Sequence, residues 1–372
     1  GQAIGMALLV TILNSNVNIA KTQIKETVYN QIEILKKNID QIVRYTGNDI
    51  EIVISDNAST DNIKLLVSNY NDKRIKYFRL QENVGQDLNI VYGIEHCMSP
   101  YILLLRTRDF VIPEKISVVI DEIYKNPSCS YFLFSAKGGE NYVSLKLENK
   151  IYKKGTETIK ETYKLLIHPS GQIYRRKDLR PDLYRQYLLK YFDNDDKSFI
   201  VHELIRMDLS VCGDFYTSSI DAWLYANSLK AKDKSVNMSK IRKGVSPYHP
   251  SLQYPRYLCQ MDFAYNEQPK QYNLELCRQI INSFLRRVTF EFAQNNRIGI
   301  EAIHYGTEKI SFDVSMERRT FKARTLEFVS SIDESDNKKI KKHLYKQLLV
   351  NLTYHKARDF ARMMLKEKRN NI

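Results

Sequence analysis

Residues 51–62 read "EIVISDNASTDN", an apolar, β-branched run that breaks into a dense cluster of hydrogen-bonding side chains. Glu51 to Ser55 has the character of a buried parallel strand. Asp56, Asn57, Ser59, Thr60 and Asp61 follow, with only Ala58 interrupting. Two readings fit such a cluster. It is a turn and helix cap, since Asp, Asn, Ser and Thr accept from free N–H groups at a helix start, and Ile63 to Tyr70 is apolar often enough to be that helix. Alternatively it is a ligand edge, because open α/β sheets bind ligands beyond the carboxyl ends of their strands.

The surrounding pattern favours such a sheet. Ala7 to Leu13 is a strand-sized apolar run, and Ile24, Val28, Ile32, Leu35, Ile39 and Ile42 recur at helical spacing. Further strands are expected at 50–55, 75–80, 101–106 and 130–135, with a helix from Pro113 to Tyr124 that starts on its proline. This alternation over the first ~135 residues is the βαβ pattern. The chain is mixed from Glu161 and mainly helical beyond about Pro255. The Pro- and Tyr-rich stretch near 245–270 reads as a linker. The expected organisation is therefore a domain over 1–245, with a first half at 7–135 and a second at 136–245, then a helical domain over 246–372 with a basic tail.

Composition narrows the function classes. Of the 372 residues, 43% are hydrophobic and 27% charged, an ordinary globular balance. No apolar run approaches the ~20 residues that span a bilayer. The run after Met6 is too short, and too uncharged in front, for a secretory signal. Five scattered cysteines without a C-x-x-C pair argue for reduced thiols and a cytoplasmic protein. H-E-x-x-H, P-loop, G-x-G-x-x-G and G-x-S-x-G motifs do not occur. The net charge is +14, of which Asp336 to Ile372 carries +8, from 11 Lys and Arg against 3 Asp and Glu. Ile340, Leu344, Leu348 and Leu352 recur there every four residues, giving an amphipathic helix with a basic face. That helix is either docked on the body, laid on an anionic membrane surface as a peripheral contact, or set against a polyanion. Nucleic acid is not expected as a partner, since no helix-turn-helix, zinc or RNP-type signature accompanies the charge.

Three motifs in order carry a family resemblance. "DNASTD" at 56–61 follows a strand, "NVGQDLN" at 83–89 leads into a helix, and "YILLLRTRDFVIPEKI" at 101–116 is a strand ending near an acidic residue. Together they resemble the family 2 glycosyltransferases. The resemblance implies an α/β, GT-A type fold, a Rossmann-like mixed sheet flanked by helices, here with a mainly helical C-terminal region. It implies transfer of a sugar from a nucleotide-diphosphate donor, most often UDP-linked, onto a glycan, glycolipid or glycoprotein hydroxyl, with inversion. Asp56 would accept from the nucleotide base while Ser59 and Asp61 shape and cap the turn. Thr11, Asn14 and Asn83 would line the same slot.

The acidic motif departs from the family's D-x-D, which holds a divalent cation (Mn²⁺ or Mg²⁺) against the diphosphate. Arg106, Thr107, Arg108 and Asp109 stand there, so one carboxylate remains. Either Asp109 still holds the cation, or Arg106 and Arg108 neutralise phosphate directly, or the chain is a catalytically inactive relative that serves as a binding or assembly partner. His249, in "SPYHP", matches a histidine that returns to the diphosphate or metal in related enzymes, set against a plain exposed loop residue. "HPSGQIYRRKDL" at 168–179 is similar to the family's acceptor-side strand, with Gly171 letting the backbone approach the sugar. The following segment then offers Asp196, His202 and Glu203 as candidates for the base that deprotonates the acceptor. For Asp196 a helix cap, and for Glu203 a solvated helix position, are the plainer readings. The helical third would recruit the acceptor or a second subunit, as in a homo-oligomer.

Overall fold

The computed structural model describes residues 6–12, 21–60, 62–139, 142–165, 170–192, 200–226, 250–291 and 313–370. They fall into two compact units, one within Gly1–Val245 and one within Ser246–Ile303 and Glu308–Ile372.

The first unit is built on a mixed sheet. Strands β1 (Met6–Ile12), β2 (Ile50–Asp56), β3 (Ile75–Arg79) and β4 (Tyr101–Arg106) run parallel, in the order β3-β2-β1-β4. Helices α1 (Lys21–Val43), α2 (Ile63–Ser68) and α3 (Gln86–His96) connect them in turn. Beyond β4 come β5 (Phe110–Val111), α4 (Ile116–Lys125) and β6 (Cys129–Ala136). After β7 (Tyr142–Val143) and β8 (Lys150–Tyr152) the chain forms α5 (Thr156–Lys164), β9 (Gln172–Arg175) and α6 (Pro181–Tyr191). Helix α7 (Val201–Cys212) and the long β10 (Asp214–Ala226) complete the unit. Strand β9 lies between β4 and β6, antiparallel to both, and β6 pairs in parallel with β10.

The apolar runs are unbroken because the central strands are covered on both faces. Leu8, Val10, Ile52, Ile54, Leu103 and Leu105 share one core with Leu35, Ile39 and Ile42 of α1 and Ile116, Val119, Ile120 and Ile123 of α4. Their neighbours Ala7, Leu9, Val53 and Leu104 are equally buried on the other side. There α3 comes close: a Cβ at Gly93 would stand 2.6 Å from the Leu9 side chain. The glycine brings the helix that follows "NVGQDLN" down onto β1.

The second unit is helical: α8 (Pro250–Asn266), α9 (Lys270–Arg286), α10 (Val314–Val329) and α11 (Glu334–Asn370). Tyr257, Phe284 and Phe321 meet at its centre, with ring centroids 4.7 to 5.7 Å apart, and the Tyr257 hydroxyl lies 2.8 Å from Thr325 Oγ1. The stretch read as a linker is a helix from Pro250 onward, with Pro255 inside it. Proline is costly in a helix interior, and the burial of Tyr254 and Tyr257 against Phe284 of α9 offsets it. On α11, Ile340 and Leu344 are fully buried, whereas Leu349 and Leu352 are exposed. The helix is docked on this unit as far as Asn351, whose side chain donates to Thr289 Oγ1 at 3.0 Å. No helix among the described residues is long and apolar enough to cross a membrane.

Candidate active site

Strand register brings the predicted residues of the donor side to one edge. Asp56 pairs with Ile12, while Thr11 pairs with Ser55 on one side and Arg106 on the other. Asp56 and Arg106 thus end the two strands that flank β1, two strand spacings or about 10 Å apart. Thr11 holds the position between them, and Asn14 lies outside the described residues.

The Asp56 carboxylate is almost wholly buried. Its Oδ1 accepts from the Ser59 backbone N–H at 2.9 Å and its Oδ2 from the Tyr77 hydroxyl at 2.6 Å, with Arg79 Nε at 3.8 Å. One bond per oxygen leaves lone pairs for a further donor. Ala58 has φ 58°, in the left-handed region, which costs an alanine roughly 1–2 kcal/mol. Just before it, the Ala58 N–H turns back to Asp56 O at 2.9 Å. No side chain at Asn62 caps α2, and Asp61 lies outside the described residues. The described polar groups of the cluster close the turn itself and fasten it to the next loop.

That fastening runs through Asn57. Its Nδ2 donates to Asn83 Oδ1 at 2.8 Å and to Gly85 O at 3.2 Å, while its Oδ1 accepts from Val84 N–H at 2.9 Å. Asn83 is therefore placed beside the turn, and Gly85, at φ 85°, starts α3. One turn into α3, Asn89 Oδ1 accepts from Ser55 Oγ at 2.7 Å.

At the end of β4 the chain turns, with Asp109 N–H on Arg106 O at 3.0 Å. The fully buried Asp109 carboxylate takes Arg106 Nε at 2.7 Å and the second guanidinium nitrogen at 3.3 Å. Asn38 of α1 donates to Thr107 O at 2.9 Å and to Asp109 O at 2.8 Å, and Ser170 Oγ accepts from Arg106 N–H at 2.9 Å. Arg108, in the same turn, is partly exposed. A hard divalent cation takes open oxygen ligands. Here the carboxylate lies buried under its own arginine and two carbonyls are taken by Asn38, so the turn as arranged does not fit one. Among the described residues, no group of three or more His, Cys, Asp or Glu side chains is placed to hold a metal. His249 lies outside them.

In the segment expected to face the acceptor, Gly171 has φ +80°, and a Cβ there would stand 2.3 Å from the Tyr225 hydroxyl and 2.8 Å from Trp223. Backbone conformation and these two aromatics of β10 both require the glycine. Helix α7 then carries His202 and Glu203 into the unit. Glu203 is buried and ion-paired with Arg206, with His202 Nε2 3.7 Å from its carboxylate. The expectation of a solvated Glu203 is replaced by a buried ion pair, because Arg206 lies 4.7 Å over the Tyr163 ring and brings its charge inward. Asp196 lies outside the described residues. The start of α7 is held by Asp87 of α3, whose Oδ2 accepts from the backbone N–H groups of Ile200 at 2.5 Å and Val201 at 3.2 Å. Helices α3 and α7 are thereby joined.

Asn38, Tyr77 and Asp87 escaped the sequence reading. Asn38 carried a signal, being polar within the apolar stripe Leu35, Ile39, Ile42 of α1. Asp87 carried one too, as an acid in the first turn of α3. Tyr77 carried none, since an aromatic on a strand is ordinary.

Comparison with known proteins agrees with this geometry. Residues 27–182 match the family model described as Glycosyl transferase family 2. An uncharacterized glycosyltransferase of Rickettsia felis is 33% identical over 109 residues, 29% of this chain and 17% of the relative. One of Rickettsia conorii is 31% identical over 126 residues, 34% of this chain and 20% of the relative. The matches thus span about a fifth of these curated relatives. Among solved structures, S. aureus TarS 1-349 in complex with UDP-GlcNAc aligns with a TM-score of 0.59 over 95% of this chain and 92% of its own, at 13% identity. That likeness is one of fold. Residues 27–182 are thus similar to the family 2 glycosyltransferases, and are carried on a sheet of GT-A type.

Proposed function

We propose that this chain moves a sugar from a UDP-linked donor onto a hydroxyl of a glycan, glycolipid or glycoprotein, with inversion at the anomeric carbon. The carrying observation is Asp56: a buried carboxylate at the carboxyl end of β2, fixed by Ser59 and Tyr77, with lone pairs to spare. A fixed carboxylate of this kind reads the N–H of a uracil ring. The UDP-GlcNAc complex of TarS, on the same fold, supports the choice of base. Asn83 stands beside the same turn, Thr11 holds the strand position next to it, and Arg108 is the cation offered to the diphosphate.

Transfer then needs one proton moved. A base in the first turn of α7 or in the sequence before it takes the acceptor hydroxyl proton as the acceptor oxygen bonds to the anomeric carbon and the bond to the diphosphate breaks. Asp196 and His202 are the candidates, since Glu203 is committed to Arg206. Negative charge leaves on the diphosphate, where fixed positive charge stabilises it.

Calorimetry with UDP, GDP and dTDP tests the nucleotide, and NMR of UDP-sugar hydrolysis tests turnover and stereochemistry. UDP bound most tightly, with an inverted product, supports the proposal. A folded protein that binds none of the three sinks it. The closed Arg106–Asp109 pair favours a second reading, a relative that binds nucleotide without transferring sugar, and UDP binding without turnover on any donor sugar selects it.

A further inference from the structure

We infer that the turn at 106–109 holds its own positive charge in place of a divalent cation, so that the donor diphosphate is bound without a protein-held metal. The inference rests on the nucleotide reading above and concerns how that site meets the charge of its ligand.

The positional argument comes first. The turn lies at the carboxyl end of β4, beside β1 and next but one to the strand that ends in Asp56. A diphosphate attached to a nucleoside at Asp56 reaches this edge. Whatever compensates its charge has to stand here.

The chemical argument is the state of the oxygens. Both carboxylate oxygens of Asp109 face the Arg106 guanidinium, at 2.7 and 3.3 Å. Asn38 Nδ2 takes the carbonyls of Thr107 and Asp109, at 2.9 and 2.8 Å. Arg106 is itself anchored by its backbone N–H on Ser170 Oγ, across in the segment before β9. A cation entering this turn would have to displace an arginine from a fully buried carboxylate. That exchange strands a guanidinium beside a second positive charge, and breaking a buried pair is strongly unfavourable.

The same pair explains why one acid is kept where the family's motif is otherwise lost. Asp109 is needed to hold Arg106. With that pair internally neutral, Arg108, partly exposed in the same turn, is the cation assigned to the diphosphate. A guanidinium suits this task because its planar fork meets two phosphate oxygens at once.

The test is UDP affinity by calorimetry on the full chain, in EDTA and in Mn²⁺, with Mn²⁺ binding followed separately by electron paramagnetic resonance. The expected result is a UDP affinity that differs less than twofold between the two conditions. Arg108→Ala should weaken UDP at least tenfold in both. A tenfold or larger loss of UDP affinity in EDTA overturns the inference. So does an Mn²⁺ site on the UDP-bound chain that disappears when Asp109 is changed. Asp109→Asn alone strands the Arg106 charge and is liable to unfold, so the double variant Arg106→Gln/Asp109→Asn is made beside it. Its ratio of UDP affinities in the two conditions should equal that of the wild type; a wild-type dependence on Mn²⁺ that the double variant lacks overturns the inference. Failure to bind UDP in either condition removes the nucleotide reading and this inference together, whereas binding only with Mn²⁺ removes this inference alone.

Discussion

Asn57 and Asn83 are bonded side chain to side chain at 2.8 Å, and this bond joins the turn after β2 to the loop that starts α3. Both predicted donor-side motifs are thus parts of one structure. Asn57→Ala removes this bond and strands the Val84 N–H that its Oδ1 had accepted. Unpaired buried donors cost about 1–3 kcal/mol, so urea denaturation should show a loss of roughly that size, with UDP affinity falling in step. Unchanged stability would mean that the two loops hold their places independently.

Asp56 is predicted to be the base-reading carboxylate. A hydrogen bond to a charged group is worth roughly 1.5–3 kcal/mol, so Asp56→Ala should weaken UDP about ten- to a hundredfold. Tyr77→Phe leaves the carboxylate but removes its 2.6 Å hydroxyl partner, and should cost less. Equal affinities in wild type and a folded Asp56→Ala would place the nucleotide elsewhere.

Asp87 is predicted to act on the acceptor side although it lies in a donor-side motif. Its carboxylate holds two N–H groups at the start of α7, an arrangement worth about 1–2 kcal/mol as a cap. Asp87→Ala should lower turnover far more than UDP affinity, because α7 carries His202 and Glu203. A variant that loses UDP binding as strongly as turnover would assign Asp87 to the nucleotide slot instead.

The parallel half of the fold was legible because its strands are covered on both faces and so spell unbroken apolar runs, and because α1 keeps a clean stripe. The site was legible only where side chains meet residues close in sequence. Asp56 with Ser59 could be read as a turn. The Asn38 bonds to the 106–109 turn span about seventy positions, and no local pattern encodes them. The plainer reading of Glu203, a solvated helix position, fails for the same reason: its burial goes with Arg206 stacking over Tyr163, on a different helix. Gly171 was noticed as special, but its close neighbours proved to be Tyr225 and Trp223.

The basic tail divides at about Leu352. Ile340 and Leu344 are core residues of the helical unit, so removing the whole of 336–372 should unfold it. Truncation after Leu352 removes six Lys and Arg and two Asp and Glu and should spare the fold. If the tail meets an anionic membrane, co-sedimentation of the truncated protein with phosphatidylglycerol vesicles should drop at low salt, at roughly 1 kcal/mol per basic residue engaged. Equal co-sedimentation of both proteins would remove the membrane from the account.

Glu51 gives the fold an acid-sensitive joint at the end of β2 away from the site. Burial pushes its carboxyl up, but the Lys76 ammonium and the backbone N–H groups of Ser99 and Met98 more than offset this and hold it below the ordinary value. Those bonds measure 2.6, 2.6 and 2.7 Å. A carboxyl whose folded value is depressed contributes stability that is complete above its unfolded value, near 4.3. The contribution is lost as pH falls through the folded value, because the unfolded chain takes the proton first. Glu51→Gln keeps the size and an acceptor but removes the charge. Near neutral pH it should therefore be less stable than wild type by roughly 1.5–3 kcal/mol. Urea midpoints measured from pH 7 down to pH 3 should converge as the wild type loses its advantage. A gap that stays constant across that range would show that Glu51 acts through packing and not through its charge.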